Sequence, residues 1–150
     1  METVSDELPV YQAGKYLTFR VARQDFAMYA SHVCGILPMH ELTALETAHE
    51  WICGFATLKG RDFPVVDLRA KLGIAHGSHG REPFIIVVQT EAKAGGKLVG
   101  FVADRVSELL DLRQRDFRNG ALRGHGRPRR VLEPDHIMKE EDWSALWVKP

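Results

Sequence analysis

The chain has 150 residues, of which 45% are hydrophobic, and this length and composition predict one folded domain rather than a disordered chain. Twenty basic residues balance twenty acidic ones, which excludes a global field that would attract nucleic acid or an anionic membrane. The two cysteines, Cys34 and Cys53, have no CxxC spacing and predict no disulfide framework.

Residues 1–14 are expected to be a flexible leader. The N-terminal stretch METVSDELPV is acidic and polar and lacks the basic and apolar regions of a signal peptide. No window approaches the roughly 18 uncharged apolar residues that a membrane helix requires. These features predict a cytoplasmic protein.

Three pairs of β-strands are predicted along the chain. Residues 16–22 and 26–30 alternate apolar with polar side chains on either side of a short turn, as the arms of a hairpin do. Residues 51–68 contain two apolar runs around a tight reversal. A run that could be buried on both faces, residues 84–88, is joined to residues 98–103 by a glycine-containing loop. Short strands at this spacing predict a sandwich or small barrels.

Four positions in these strands have special backbone requirements. Gly60, in the tight reversal, can take the positive φ that such a turn requires. Pro64 has no backbone N–H to donate to a neighbouring strand, so its strand is expected at a sheet edge or paired on one side at that point. Gly54 and Gly100 lie within strands, where glycine indicates either a barrel corner or a docking groove.

Two helical elements are predicted. Ser31 can cap a short helical turn that Pro38 ends, and residues 135–147 have the apolar stripe of a C-terminal helix. Residues 39–50, between the first two strand pairs, are expected to be a polar connection. The apolar residues of the short helical turn are Val33, Ile36 and Leu37.

Seven arginines lie between residues 111 and 131, against two aspartates, which gives a local charge of +5. The guanidinium group of an arginine can donate two parallel hydrogen bonds to one phosphate, so nucleic-acid binding through a basic loop is an alternative function. Such modules usually interleave stacking aromatics, and only Phe117 is nearby. The other interpretation is a mobile basic loop that pairs in part with the acidic tail after Glu133.

No motif of an enzyme, cofactor site or metal site occurs in the sequence. His76 and His79 are too few for a structural zinc site, and no neighbouring cysteine or carboxylate pair completes four ligands. Cys53 lies in a strand pattern, where burial would raise the pKa of its thiol and leave it inert. The chain is therefore predicted to be no enzyme and to bind no cofactor and no metal.

The chain resembles the CheW-like domain, the coupling adaptor of bacterial chemotaxis arrays. The resemblance begins at FRVARQDFAMYASHVCGIL, strengthens at GFATLKGRDFPVVDLRAKLG, and continues through PFIIVVQ and VGFVADRVSELLDL. It implies an all-β fold with short helices, in which two five-stranded SH3-like β-barrels pack around a hydrophobic seam. The expected single domain is 15–150, with approximate subdomains 15–82 and 83–133 before the C-terminal helix.

The resemblance also implies a non-catalytic function and a set of binding residues. Proteins of this family bind the regulatory domain of the histidine kinase CheA and the cytoplasmic tip of methyl-accepting chemoreceptors, the latter by helix-in-groove recognition. Lys59 stands where the family has an arginine that binds a partner, and a lysine cannot donate two parallel hydrogen bonds to one carboxylate. Gly35 stands where family members often have a glutamate. The partner-binding residues implied in this way are Val33, Gly35, Ile36, Leu37, Gly54, Leu58, Lys59, Gly60, Val99, Gly100 and Val102.

Overall fold

The computed structural model describes residues 11–44, 50–74, 82–90, 96–119, 121–139 and 141–143. Within these ranges the chain is built mainly from strands, with two short helices, α1 (Leu68–Leu72) and α2 (Pro134–Ile137). The strands are β1 Gly14–Val21, β2 Gln24–Tyr29, β3 Val33–Pro38, β4 Thr43–Ala44, β5 Ile52–Leu58, β6 Arg61–Val66, β7 Phe84–Gln89, β8 Leu98–Ala103, β9 Arg105–Leu112, β10 Phe117–Arg118, β11 Ala121–Leu122 and β12 Arg129–Val131.

The strands form two sheets, and the predicted all-β class is confirmed. The first sheet has the order β10-β11-β12-β2-β1-β9, and the second has the order β3-β7-β8-β6-β5-β4. Each described sheet has six strands rather than the expected five, because very short strands extend it. The first sheet takes its strands from both ends of the chain and the second from the middle, so the division between sheets does not coincide with the expected division at residue 82.

Three apolar clusters hold the sheets together, because successive side chains of a strand point to opposite faces. The seam between the sheets is one cluster, and each sheet has a separate interior cluster on its other face. In β7, for example, Ile86 and Val88 belong to the seam, whereas Ile85 and Val87 belong to the interior of the second sheet. This confirms burial on both faces for residues 85–88, while Phe84 is half-buried.

The three clusters have the following members. The seam contains Leu17, Phe19, Val21, Phe26 and Met28 from the first sheet, Ile52, Val66, Leu68, Ile86, Val88, Val99, Phe101 and Ala103 from the second sheet and α1, and Leu132, Ile137, Met138 and Trp143. The interior of the second sheet contains Ala56, Phe63, Val65, Ile85, Val87, Leu98 and Val102. The interior of the first sheet contains Tyr16, Ala27, Leu112, Leu122 and Val131.

Residues 33–38 form a strand, and the predicted helical turn there is wrong. A single 3-10 turn at Ala30–His32 precedes β3, which pairs antiparallel with β7. A bulge between Val33 and Gly35 shifts the alternation of side chains by one residue. Apolar side chains therefore recur at a spacing that resembles a helix, although the backbone is extended.

The predicted central strand pair is confirmed as the β5–β6 hairpin. Its two-residue loop is Lys59 and Gly60, with φ of 51° and 79°, the combination that a tight type I′ hairpin requires. Pro64 lies opposite Phe55 of β5, while the parallel pairing of β6 with β8 begins only at Val65. The one-sided pairing predicted for the proline is therefore also confirmed.

The C-terminal part departs from the predicted helix over residues 135–147. α2 ends at Ile137, and Met138 has extended backbone angles, so the described residues do not form one continuous helix. A second helical stretch covers residues 141–143, where Asp142 accepts a hydrogen bond from the Lys139 amide at 2.9 Å. Residue 140 and residues 144–150 lie outside the described ranges.

Part of the expected N-terminal leader packs against the first sheet. The Tyr16 hydroxyl donates to the carbonyl of Gln12 at 2.8 Å, and the Tyr11 ring lies 5.3 Å from that of Phe117. Residues 1–10, as well as His76 and His79, lie outside the described ranges. No helix within the described ranges is long and apolar enough to cross a membrane.

Candidate protein-docking surface

The structure brings β3 beside the β5–β6 turn, as the predicted set of binding residues requires. A Cβ atom at Gly35 would lie 3.4 Å from Cδ2 of Leu58, the residue that enters the turn. Leu37 and Leu58 both pack against the interior cluster of the second sheet. Gly35, Leu37 and Leu58 therefore form one end of that barrel, and the exposed Lys59-Gly60 loop projects from it.

Two large hydrophobic side chains are exposed among the described residues, Ile36 at 41% and Leu109 at 53%. Ile36 of β3 pairs with Ile86, and Leu109 of β9 pairs with Leu17, and both of these partners belong to the seam. Opposite residues of antiparallel strands project to the same face. Each exposed side chain thus lies on the seam-facing side of a strand that ends its sheet.

Leu109 is a candidate contact residue that the sequence did not predict. It lies next to Leu110, which packs against the interior cluster of the first sheet. The leucine pair alone does not indicate which member points outward, because a bulge between Leu17 and Phe19 shifts the pairing of β1 with β9. The pairing with Leu17 is what places Leu109 on the seam side.

Three of the predicted binding residues are buried in β8. Val99 and Val102 are 0% and 1% exposed, and they belong to the seam and to the interior of the second sheet. At Gly100 a Cβ atom would lie 2.5 Å from Cγ2 of Ile85 and 3.0 Å from Cε1 of Phe63. This glycine is required by close packing, so β8 forms the support of the surface rather than the surface itself.

Gly54 is likewise buried in β5, next to an irregularity in the pairing with β6. It lies opposite Val65 and also pairs with Ala44 of the short strand β4. Of the two interpretations given for strand glycines, this placement fits the barrel corner.

The β5–β6 turn presents two exposed cations, Lys59 and Arg61. Within the described part of the chain neither of them forms an ion pair. The strands beside the turn are joined by a hydrogen bond of 2.5 Å between Oγ1 of Thr57 and Oδ1 of Asp62. A positively charged, firmly held loop therefore borders the Gly35 end of the second barrel.

The described residues contain no arrangement suited to catalysis. Burial, together with the nearby Asp67 carboxylate, raises the pKa of the Cys53 thiol to about 11, so that this thiol is not a nucleophile at neutral pH. Cys34 is exposed, but its sulfur lies 3.9 Å from a carbonyl and 4.0 Å from an amide oxygen rather than beside a base. Over the described ranges, no group of three or more His, Cys, Asp or Glu residues could hold a metal ion.

The family model of the CheW-like domain matches residues 15–142 of this two-barrel chain. The chain belongs to the CheW-like family. CheW-like proteins are non-catalytic scaffolds and adaptors of chemotaxis signalling, so the predicted family and the predicted lack of enzymatic function are confirmed.

Individual relatives support the same assignment along most of the chain. A chemotaxis protein CheW of Rhizobium meliloti is 28% identical over 155 residues, covering 89% of this chain and 97% of the relative. The chemotaxis protein CheW of Thermotoga maritima is 25% identical, covering 93% and 95%. The crystal structure of the scaffolding protein TtCheW from Thermoanaerobacter tengcongensis superimposes with a TM-score of 0.73 at 18% identity, covering 88% and 92%, which shows a common fold.

Proposed function

We propose that this chain is a cytoplasmic signalling adaptor that couples chemoreceptors to the histidine kinase CheA through non-covalent contacts. The observation that supports this most directly is the exposure of Ile36 and Leu109 on the seam-facing sides of the two edge strands β3 and β9. Exposed aliphatic side chains beside a seam suit the apolar face of a receptor helix, which recognises a groove through side chains on successive turns.

The Lys59-Gly60 loop supplies the proposed electrostatic part of the surface. Lys59 takes the place of an arginine that the family resemblance assigns to partner binding, and it lies next to the Gly35 end of β3. A lysine retains the charge but cannot form two parallel hydrogen bonds to one carboxylate. We therefore expect this contact to tolerate a wider range of acidic partner groups than an arginine would.

The proposal is tested with the CheA regulatory domain and a receptor tip peptide from the same organism, by isothermal titration calorimetry. Ile36→Gln and Leu109→Gln should each weaken receptor binding about tenfold, since truncation or polarisation of a central interface residue costs more than about 1 kcal/mol. Ser107→Gln, at an exposed position of the same strand β9, is the matched control and should bind normally. Binding of the unaltered chain to neither partner would refute the proposal.

A further inference from the structure

A second surface lies at the end of the first sheet that is farthest in strand order from β9, in strands β10 to β12 and the described residues beside them. We call residues 113–119 and 121–130 the arginine ribbon. The ribbon contains seven arginines, one aspartate and no lysine, a net charge of +6 in a chain whose total charge is zero. It shares no residue with the proposed CheA and receptor surface. Its charge therefore requires a separate explanation.

Hydrogen bonds and a close contact between Asp116 and His125 hold the loops of the ribbon in one arrangement. The Asp116 carboxylate accepts from the Arg113 amide at 2.8 Å and lies 3.2 Å from Nε2 of His125. The Asp116 carbonyl accepts from the Arg123 amide at 2.7 Å, and the Arg129 guanidinium donates to the His125 carbonyl at 2.6 Å. The ribbon is thus an ordered platform rather than an unattached basic loop.

The acidic tail does not neutralise this platform in the described structure. The ion pairs of the described ribbon arginines run from Arg127 to Asp25 at 3.6 Å and from Arg129 to Glu108 at 3.8 Å. The predicted pairing of the basic loop with residues after Glu133 is therefore not found among the described residues. Instead, acidic residues of neighbouring strands hold two of the arginines.

Most of the guanidinium groups remain available to a partner. Arg129 is largely buried and structural, with 14% of its side chain exposed, whereas 69% of the Arg127 side chain is exposed. Five further arginines are exposed and form no ion pair with any described residue. They are Arg113, Arg115, Arg118, Arg123 and Arg130.

Two of these arginines are held at a defined spacing on one face. Arg118 pairs with Ala121, and Ala121 pairs with Arg130, so the three side chains project from the same side of adjacent strands. Two strand spacings separate the arginines by about 10 Å, with only the methyl group of Ala121 between them. Two guanidinium groups at this spacing can each bind a carboxylate of one extended partner segment.

The chemistry of the ribbon favours carboxylates of a protein over the phosphates of a nucleic acid. Single-stranded nucleic acids are bound on exposed aromatic side chains, but Phe117 is packed between Tyr11 and Tyr16, with ring centroids 5.3 and 5.1 Å away. Carboxylate side chains of an extended peptide need no such stacking surface, so the ribbon fits a short acidic segment of a protein.

We propose that the arginine ribbon docks a glutamate- or aspartate-rich segment of a partner protein, at a site independent of the receptor and CheA contacts. The test uses the full chain and a fluorescently labelled decaglutamate peptide, with anisotropy measured at increasing ionic strength. The double variant Arg118→Gln/Arg130→Gln should weaken binding by about tenfold. Arg23→Gln/Arg105→Gln removes the same charge from exposed positions elsewhere and should have less than a twofold effect (about the scatter expected for surface sites).

Two further measurements keep the proposal open to refutation. Arg118→Lys/Arg130→Lys retains both charges but removes the guanidinium groups. An intermediate loss of affinity is therefore expected if each arginine donates two hydrogen bonds to one carboxylate. The ribbon proposal fails if both double glutamine variants weaken binding equally, or if duplex DNA or anionic vesicles bind the ribbon more tightly than the peptide does. Receptor and CheA titrations of the Arg118→Gln/Arg130→Gln variant should be unchanged, which separates this proposal from the adaptor function.

Discussion

A buried ion pair between Arg69 and Asp104 joins the two barrels. The Arg69 guanidinium in α1 donates to Oδ2 of Asp104 at 2.7 Å, with 5% and 11% of the two side chains exposed. The same carboxylate oxygen accepts from the Ala22 amide at 2.5 Å, and the Asp104 amide donates to the Arg20 carbonyl at 2.9 Å. Helix α1 directly follows β6 of the second sheet, and Ala22 belongs to the β1–β2 turn of the first sheet, so Asp104 connects both sheets.

Replacing Asp104 with leucine should destabilise the protein by about 3–5 kcal/mol, because it removes the carboxylate that pairs with the buried Arg69 charge. In a protein of this size, such a loss lowers Tm by roughly 6–20 °C. The double variant Arg69→Met/Asp104→Leu removes both charges and should recover part of the loss, since a buried pair can often be replaced by apolar residues at little cost, although the Ala22 amide still lacks its acceptor. Urea unfolding followed by tryptophan fluorescence measures the free energies of unfolding of the unaltered chain, of the single variants Asp104→Leu and Arg69→Met, and of the double variant.

The matched control is the more exposed pair between Arg20 and Asp25, where 27% and 19% of the side chains are exposed at a distance of 3.1 Å. Asp25→Asn should lower the free energy of unfolding by less than about 1 kcal/mol, because water screens this pair. The reasoning is refuted if Asp104→Leu costs no more than this control. It is also refuted if the double variant loses the sum of the two single effects, because independent sites add whereas a coupled pair does not.

Three other predictions concern separate parts of the molecule. Lys59→Glu should weaken binding to one partner while the thermal midpoint stays unchanged, and a fall in that midpoint would instead make this exposed lysine structural. Gly100→Ala should lower the free energy of unfolding in urea by about 1–3 kcal/mol, because its new methyl group meets Ile85 and Phe63. The control Gly35→Ala should be tolerated, since its methyl group would lie 3.4 Å from Leu58, an ordinary contact distance. Thiol labelling should be fast at Cys34 and slow at Cys53 until the pH nears about 11. Because the folded pKa of Cys53 is raised, its contribution to stability is complete below the unfolded pKa and is lost as the pH rises from there through the folded pKa of about 11. Equal labelling of both thiols at neutral pH would contradict the burial of Cys53.

The strand pair with a clear turn signal could be predicted from the sequence, whereas strand β3 could not. The β5–β6 hairpin is recognisable because Gly60 and the flanking apolar runs are local signals. In β3, the bulge between Val33 and Gly35 makes an extended segment imitate helical spacing. A periodicity argument assumes an uninterrupted repeat, so one inserted residue is enough to change its result.

The candidate site was predictable in outline, while the exposure of its members was not. Motif resemblance places Ile36 and Val99 together in one binding set, yet Ile36 is exposed and Val99 is buried in the seam. A family motif includes residues that support a surface as well as residues that touch a partner. The pairing of Arg69 with Asp104 across 35 positions has no local sequence signal at all.

The order of the strands has a consequence for how the chain must assemble. All strands of the second sheet lie between Val33 and Ala103, as one uninterrupted insertion between the two halves of the first sheet. The β1–β2 hairpin is synthesised early, but its flanking strands come from the last part of the chain, as in the hydrogen bonds between Thr18 and Glu108 across 90 positions. Closing so long a loop is slow compared with local pairing. The second barrel can therefore form while the chain is still being made, whereas the first is necessarily completed after synthesis has passed β12.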